Sequence, residues 1–221
     1  MTWTYGYNPA GQVVSQSQSN SLYSFTGRVA GTTNYTNNAL NQATAAGGAT
    51  LTYNAEGDLT SDGAGGRSYA YDRYSRPVTL NNSQTIAWDA LGRLKTMTGT
   101  LGADYLYDAD GQLAGTTVNG ATIANRLVPG PWPDEIALAW QGSDLSLPYW
   151  SAQDRMGSVV SITDGSGGMV ALNTYDEYGR PGNSNGGRLM YTGQMWLPDW
   201  GMYHYKGRQY RPDLGRFLQT D

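Results

Sequence analysis

The chain has 221 residues and a net charge of −4, with its 14 lysines and arginines scattered rather than clustered, and it contains no cysteine. That excludes disulfide scaffolds and thiolate zinc sites and leaves no basic stripe of the kind a nucleic-acid partner requires. No apolar run approaches the roughly 20 residues of a membrane helix. Charged residues make up only 14%, against 30 glycines and 17 tyrosines but 2 phenylalanines, a mixture suited to strands and turns rather than to helices or disorder.

The N-terminal "MTWTYGYNPAG" has neither a basic start nor an apolar stretch, so no signal peptide is visible. It already contains the phrase that dominates the chain: "YNPAGQV" at Tyr7, then "YNAEGDL" at Tyr53, "YDRYSRP" at Tyr71, "WDALGRL" at Trp88 and "YDADGQL" at Tyr107. From Tyr53 onward the units are separated by 18, 17 and 19 residues, and the stretch after Tyr35 reads as a decayed copy. A repeat of this length is a supersecondary unit.

Each unit reads as a hairpin. Aromatic or apolar residues alternate ahead of the acid, as in Tyr5/Tyr7, Tyr69/Tyr71, Ile86/Trp88 and Tyr105/Tyr107, and a period of two puts each pair on one face of a strand. D-x-x-G then suits a type I turn. Asp72, Asp89 and Asp108 sit where a side chain can bond the turn's own backbone, and Gly57, Gly92 and Gly111 sit where a left-handed conformation closes a bulged hairpin. The aliphatic residue that follows (Leu59, Leu94, Leu113) starts the return strand. The expected fold is all-β, a hairpin meander in a curled antiparallel strip. Its aromatic face and unpaired edges must be covered by curling or self-association.

From residue 121 the texture changes, although strands and turns continue. "PDEIALAWQG" reads as a strand ended by Gly142, and D-R-M-G, D-G-S-G and D-E-Y-G punctuate the rest. The division expected is a repeat strip over 1–120 and a distinct segment over 121–221.

These residues resemble the YD-repeat proteins of the RHS (rearrangement hotspot) type. The aromatic-Asp/Asn-x-x-Gly units resemble the YD repeat. "GPWPDE", "QDRMGSVVSITDGSG" and "YDEYGRP" resemble steps of the RHS repeat-associated core. The closing "TGQMWLPDWGMYHYKGRQYRPDLGRFLQTD" carries that core's motifs in order. The resemblance implies a strip spiralling into a hollow shell that encloses a C-terminal polypeptide, usually a toxin. In many members the chain is cleaved after the core by aspartates. Asp221 matches the first of these, and the chain stops there, incomplete relative to the family and too short to close a shell. The implied partners are a C-terminal cargo or the rest of a longer shell, with self-association through strand edges. No nucleic acid, cofactor or metal is implied. The implied location is the bacterial cytoplasm before export by a specialised secretion system, or outside the cell.

Single motifs suggest other chemistry. "GNSNG" satisfies the G-x-S-x-G nucleophile elbow around Ser184. Asp199 and the single histidine, His204, follow it, giving a serine-hydrolase alternative in which His204 would activate Ser184. An elbow joins a strand to a helix, however, and "RPGNSNGGR" reads as a loop, so the motif is more simply a chance match in a chain rich in Ser and Gly. His204 reads more simply as a strand histidine facing solvent or a neighbouring strand. Calcium loops need several oxygen ligands, which only Asp108 with Asp110 approaches. The adjacent acids Asp134/Glu135 and Asp176/Glu177 point to opposite faces of a strand and do not make a glycosidase pair. A carbohydrate-binding module using Trp88, Trp132 and Trp150 is the third reading.

Overall fold

The computed structural model describes residues 2–29, 31–63, 66–100, 102–132 and 134–220. Within them the chain is almost wholly antiparallel β, as the repeats require. Strands β1 (Trp3–Tyr7) and β2 (Val13–Gln18) form a separate hairpin. Next come β3 (Tyr35–Asn37), β4 (Ala43–Ala46) and β5 (Ala49–Thr50), then the pair β6 (Thr52–Tyr53) and β7 (Leu59–Ser61).

The main sheet has eleven strands in strict chain order. These are β8 (Tyr69–Tyr71), β9 (Pro77–Leu80), β10 (Gln84–Trp88), β11 (Leu94–Met97), β12 (Ala103–Tyr107), β13 (Leu113–Val118), β14 (Thr122–Pro129), β15 (Ile136–Gln141), β16 (Pro148–Gln153), β17 (Val159–Asp164) and β18 (Met169–Leu172). β13 pairs directly with β14, so the sheet passes residue 120 without a break. A four-stranded sheet ends the chain: β19 (Met195–Leu197), β20 (Met202–Tyr205), β21 (Arg208–Arg211) and β22 (Arg216–Phe217).

The repeated phrase is the corner of each hairpin. At Asn8, Asn38, Asn54, Asp72, Asp89, Asp108, Asp154, Asp164 and Asp176 the side-chain Oδ1 accepts the backbone N–H four residues on, at 2.8–3.1 Å. The C=O of the same residue accepts the N–H three residues on. That third residue lies at positive φ in every case: glycine at seven corners, Asn41 and Ser75 at the other two. The ladder register shifts where these hairpins close, as a bulge with a left-handed residue requires. The residue four on complements the corner's chemistry. Asp72 and Asp89 receive the guanidinium of Arg76 and Arg93, whereas the amides of Asn8 and Asn38 donate to Gln12 and Gln42.

Consecutive units are stitched by the aromatic residue preceding the corner. The hydroxyls of Tyr53, Tyr71 and Tyr107 donate to the carbonyls of Ala43, Leu59 and Leu94 at 2.8, 2.6 and 2.8 Å. Trp88 Nε1 donates to Pro77 O at 2.9 Å, and the Tyr175 hydroxyl to Val159 O at 2.7 Å. Each acceptor is the residue five past an earlier corner, where a return strand begins. A phenyl ring would fill the same space and leave that carbonyl without the bond, which explains why the chain uses tyrosine where most proteins mix in phenylalanine.

The alternation ahead of each corner sets burial. Tyr69, Ile86 and Tyr105 are buried; Ala70, Ala87 and Leu106 are exposed; Tyr71, Trp88 and Tyr107 are half-buried. The C-terminal sheet packs on this inner face. One core joins Leu59, Tyr69, Leu80, Ile86, Leu94 and Tyr105 of the strip to Met195, Leu197, Trp200, Met202 and Leu218, and Trp200 is fully buried. The aromatic face is therefore covered from within the chain over this part of the strip. The N-terminal hairpin lies outside the core, with Tyr7 and Val14 exposed.

Candidate functional site

The C-terminal sheet carries a group of buried polar side chains, Arg211, His204 and Gln209 among them. Arg211, buried on β21, donates through Nη1 to Asp62 and to the Tyr69 hydroxyl and through Nε to Asp213 at 2.6 Å. Asp62 is itself buried in the loop after β7, so an ion pair 149 residues apart in sequence locks the sheet to the strip. Burial alone would lower the Arg211 pKa, but Asp213, Tyr69 and Asp62 hold it above its usual value. Burial raises the Tyr69 hydroxyl well above the usual range, so Tyr69 is a neutral member of the cluster.

His204, on β20, is also buried, with its ring 5.5 Å from Trp88. Its Nδ1 lies 3.0 Å from Gln209 Nε2. The neighbouring amides decide the proton. The backbone N–H of Gln209, which can only donate, bonds Gln219 Oε1 at 2.9 Å. Gln219 Nε2 therefore donates to Gln209 Oε1, and Gln209 Nε2 donates to His204. Nδ1 is an acceptor and the ring proton sits on Nε2. Burial, with the Lys206 charge second, lowers the His204 pKa to about 4, so the ring is neutral at pH 7.

His204 lines a cleft of about 680 Å³ between the corners of Asp89 and Asp108, the loop around Trp132 and the β20–β21 hairpin. Asp134, at φ +62, reaches across from that loop and accepts from Gln194 at 2.9 Å and from Lys206 at 2.8 Å. Arg93 pairs with Asp89 and lies over the Tyr107 ring. A second cavity, of about 270 Å³, is lined by β13–β18 residues such as Leu127, Tyr149 and Ile162, with Ser184 at its margin.

The candidate hydrolase residues are not brought together. Ser184 is exposed and lines the smaller cavity, His204 lines the larger, and the His204 ring bonds Gln209. Residues 182–186 form a loop pinned to 173–174 by Asn173 and Asn185. No α-helix follows, only a 3-10 turn at Tyr191–Gly193, and Ser184 is not at positive φ. Asp199 lies against Gly99, in the turn between β19 and β20; a Cβ there would come within 2.4 Å of its Oδ2. The sequence reading of His204 as a strand histidine placed it at solvent or against a neighbouring strand. It does meet a neighbouring strand, through Gln209 of β21, and its ring is in addition buried against Trp88 of a different sheet, because the C-terminal sheet folds onto the strip.

Asp72, Asp89 and Asp108 occupy the hairpin corners, with Gly57, Gly92 and Gly111 at the left-handed fourth positions. Asp221 lies outside the described residues. Trp88 is half-buried with its N–H committed to Pro77, whereas Trp132 and Trp150 are exposed. Sequence reasoning did not reach the Arg211 cluster or the glutamine pair on His204. The signal present was a run of polar residues at alternate strand positions, which is ordinarily the mark of a solvent face.

The geometry defines a class of protein: tandem hairpins in one antiparallel ribbon, stitched corner to corner and covered on the inner face by a short terminal sheet. No family model matches the chain. Curated relatives are similar. The tRNA3(Ser)-specific nuclease WapA of Bacillus spizizenii is 26% identical over 204 residues, and the tRNA nuclease WapA of Bacillus subtilis strain 168 is 25% identical over 218. Each match covers 86% of this chain but 8% of the relative, so the chain spans under a tenth of their length. Among solved structures, the crystal structure of TcdB2-TccC3-TEV superposes with a TM-score of 0.52 at 18% identity, over 99% of this chain and 16% of that one. The shared feature is the fold. Among the described residues no helix is long and apolar enough to cross a membrane.

Proposed function

We propose that the chain is a wall segment of an RHS-type YD-repeat protein, with residues 1–120 as repeat strip and 121–221 as the core, whose strands β14–β18 continue the wall and whose terminal sheet covers part of its inner face, and with a structural rather than catalytic role. The observation that carries this reading is the stitch from the pre-corner aromatics Tyr53, Tyr71, Trp88, Tyr107 and Tyr175 to the return strand of an earlier hairpin. It ties these units to earlier ones and lets a wall extend by repetition. The order of motifs in the C-terminal 30 residues and the likeness to WapA support the family. The nuclease activity in the relatives' names is not carried over, because the match spans so little of their length and this chain offers no basic stripe.

In this reading the inner surface of β14–β17, around Leu127, Tyr149 and Ile162, faces a polypeptide that continues from the chain or the remaining wall of a longer parent. Its exported destination follows from the same family reading. Hydrogen–deuterium exchange tests it, comparing the chain alone with the chain joined after Asp221 to a natively unstructured polypeptide. New protection along β14–β17 supports an enclosing wall. Identical exchange in the two proteins sinks it.

A further inference from the structure

The sequence holds two Asn-Gly pairs, Asn119–Gly120 and Asn185–Gly186. In such a pair the glycine carries no side chain beside its nitrogen, so nothing hinders that nitrogen from reaching the carboxamide carbon of the asparagine before it. The fold treats the two pairs in opposite ways. Asn185 is held at both ends of its carboxamide: Oδ1 accepts the Thr174 N–H at 2.9 Å, and Nδ2 donates to Thr174 O at 3.0 Å. The Gly186 N–H donates to Asn173 Oδ1 at 2.8 Å, a neutral amide oxygen that does not take protons.

Asn119 and Gly120 form the turn between β13 and β14, and both are exposed. Both lie at positive φ, +54 and +70, as a two-residue turn between twisted strands demands. The bond that closes this turn, from the Ala121 N–H to Val118 O, is 3.3 Å long, beyond the usual range. The Gly120 N–H donates to Asp104 Oδ2 of β12 at 2.9 Å, and the other oxygen of Asp104 accepts the Thr96 hydroxyl at 2.8 Å. The proton that must leave the Gly120 nitrogen is thus already bonded to a fixed carboxylate, at the distance a general base requires.

We propose that Asn119 is a self-modification site, at which the folded chain deamidates through a cyclic imide with Asp104 as the base. The Gly120 nitrogen attacks Asn119 Cγ and passes its proton to Asp104 Oδ2. The Cγ–Nδ2 bond breaks, and ammonia leaves carrying that proton. Water then opens the imide at either carbonyl, giving aspartate or isoaspartate at position 119, and no oxidant or reductant takes part. The turn must open for Cγ to reach the nitrogen, and its exposure and long closing bond make that motion easy. Isoaspartate puts an extra carbon into the main chain, which displaces the pairing of Val118 with Thr122 where β13 meets β14. The reaction therefore ages one joint of the ribbon, whether or not the ribbon encloses a polypeptide.

The full chain, freshly purified, is incubated at neutral pH and then digested, and both Asn-Gly peptides are followed by mass spectrometry. The mass gain of an amide-to-acid exchange is expected in the peptide holding Asn119 and not in the one holding Asn185. Part of the product is expected to be isoaspartate, which an isoaspartyl methyltransferase labels. Asp104→Asn keeps an oxygen that accepts the Gly120 N–H but removes the base, and is expected to slow the gain several-fold. If Asp104 did no more than fasten the turn, its loss would loosen the turn and speed the reaction, so the sign of the change separates the two roles. Thr96→Val leaves the carboxylate in place but unfixed, and is expected to slow the reaction less. Three outcomes overturn the proposal: Asn119 gains no mass, Asn185 reacts as fast as Asn119, or Asp104→Asn reacts as fast as the natural chain or faster.

Discussion

The hairpin strip and the C-terminal sheet draw on the same tyrosines, glycines, aspartates and arginines, yet they are held by bonds of opposite reach. In the strip the corner bonds span four residues or fewer, and the stitches between units span 10 to 16. In the C-terminal sheet the decisive bonds join Arg211 to Asp62 and Tyr69, 149 and 142 residues away. The strip's corner carboxylates Asp72 and Asp89 stand at hairpin tips and are partly exposed. The sheet's Arg211 is 2% exposed and its partner Asp62 1%. A unit of the strip is one of many similar contributions, whereas Arg211 and His204 of the sheet are single and buried. Damage is therefore expected to be graded in the strip and abrupt in the sheet.

The largest effect tests that contrast directly. Arg211→Met removes the nearer of the two guanidinium groups at buried Asp62, leaving Arg67 at 4.0 Å, and is expected to lower the unfolding free energy by about 3 kcal/mol in urea denaturation. Adding Asp62→Asn to it is expected to recover part of the loss. A single-site loss below that of the strip variants would erase the distinction between the two regions.

Acid comes next. Unfolded histidine titrates near pH 6.5, whereas burial holds folded His204 at about 4. The unfolded state therefore takes up the proton first. Stability is full above pH 6.5 and declines as pH falls toward 4, by about 3 kcal/mol from this residue. The corner carboxylates act lower. Burial opposes it, but the bonds from Arg76 to Asp72, and the backbone and Arg93 bonds to Asp89, hold both below the usual carboxylate range. Their contribution is complete above the unfolded carboxylate pKa and is lost only as pH falls through the lower folded values. Acid is thus expected to weaken the C-terminal sheet before the corners. His204→Gln should flatten the limb between pH 6.5 and 4 and leave the lower one, which stability curves against pH would reveal.

Within the strip, Tyr71→Phe removes one stitch while keeping the ring. A loss of about 1–2 kcal/mol is expected, against little change for Tyr74→Phe, whose ring is exposed. Gly92→Ala places a side chain at φ +77 in a corner and is expected to cost about 1 kcal/mol. Ser184→Ala is expected to change stability by less than about 0.5 kcal/mol. It should leave any hydrolysis of short-chain esters as it was, and a serine-dependent rate would revive the hydrolase alternative.

Much of the fold was legible because the repeat encodes it locally. The acid and the fourth-position residue lie within one turn, so their relation is written in adjacent letters. Even "YTNNALNQ" folds as a corner, with Asn41 taking the left-handed place of glycine. The aromatic alternation gave the buried face of β8, β10 and β12. The candidate site was far less legible. "YHYKGRQY" reads as two alternating strands, and the residues that fix the His204 proton, Gln209 and Gln219, look like solvent-facing polar positions until another sheet is laid over them.

The amino-acid order by itself therefore determined the local geometry: where the chain turns, which side of each strand is apolar, and that neighbouring hairpins pair in sequence. These follow from interactions a few residues long, which the chain carries wherever it goes. Only the tertiary structure decided what covers the aromatic face, which polar groups become buried, and that Asp62, Tyr69 and Arg211 meet. Burial depends on surfaces arriving from distant parts of the chain, and an ionised or hydrogen-bonding group takes its chemical character from the partners and the dielectric it meets there.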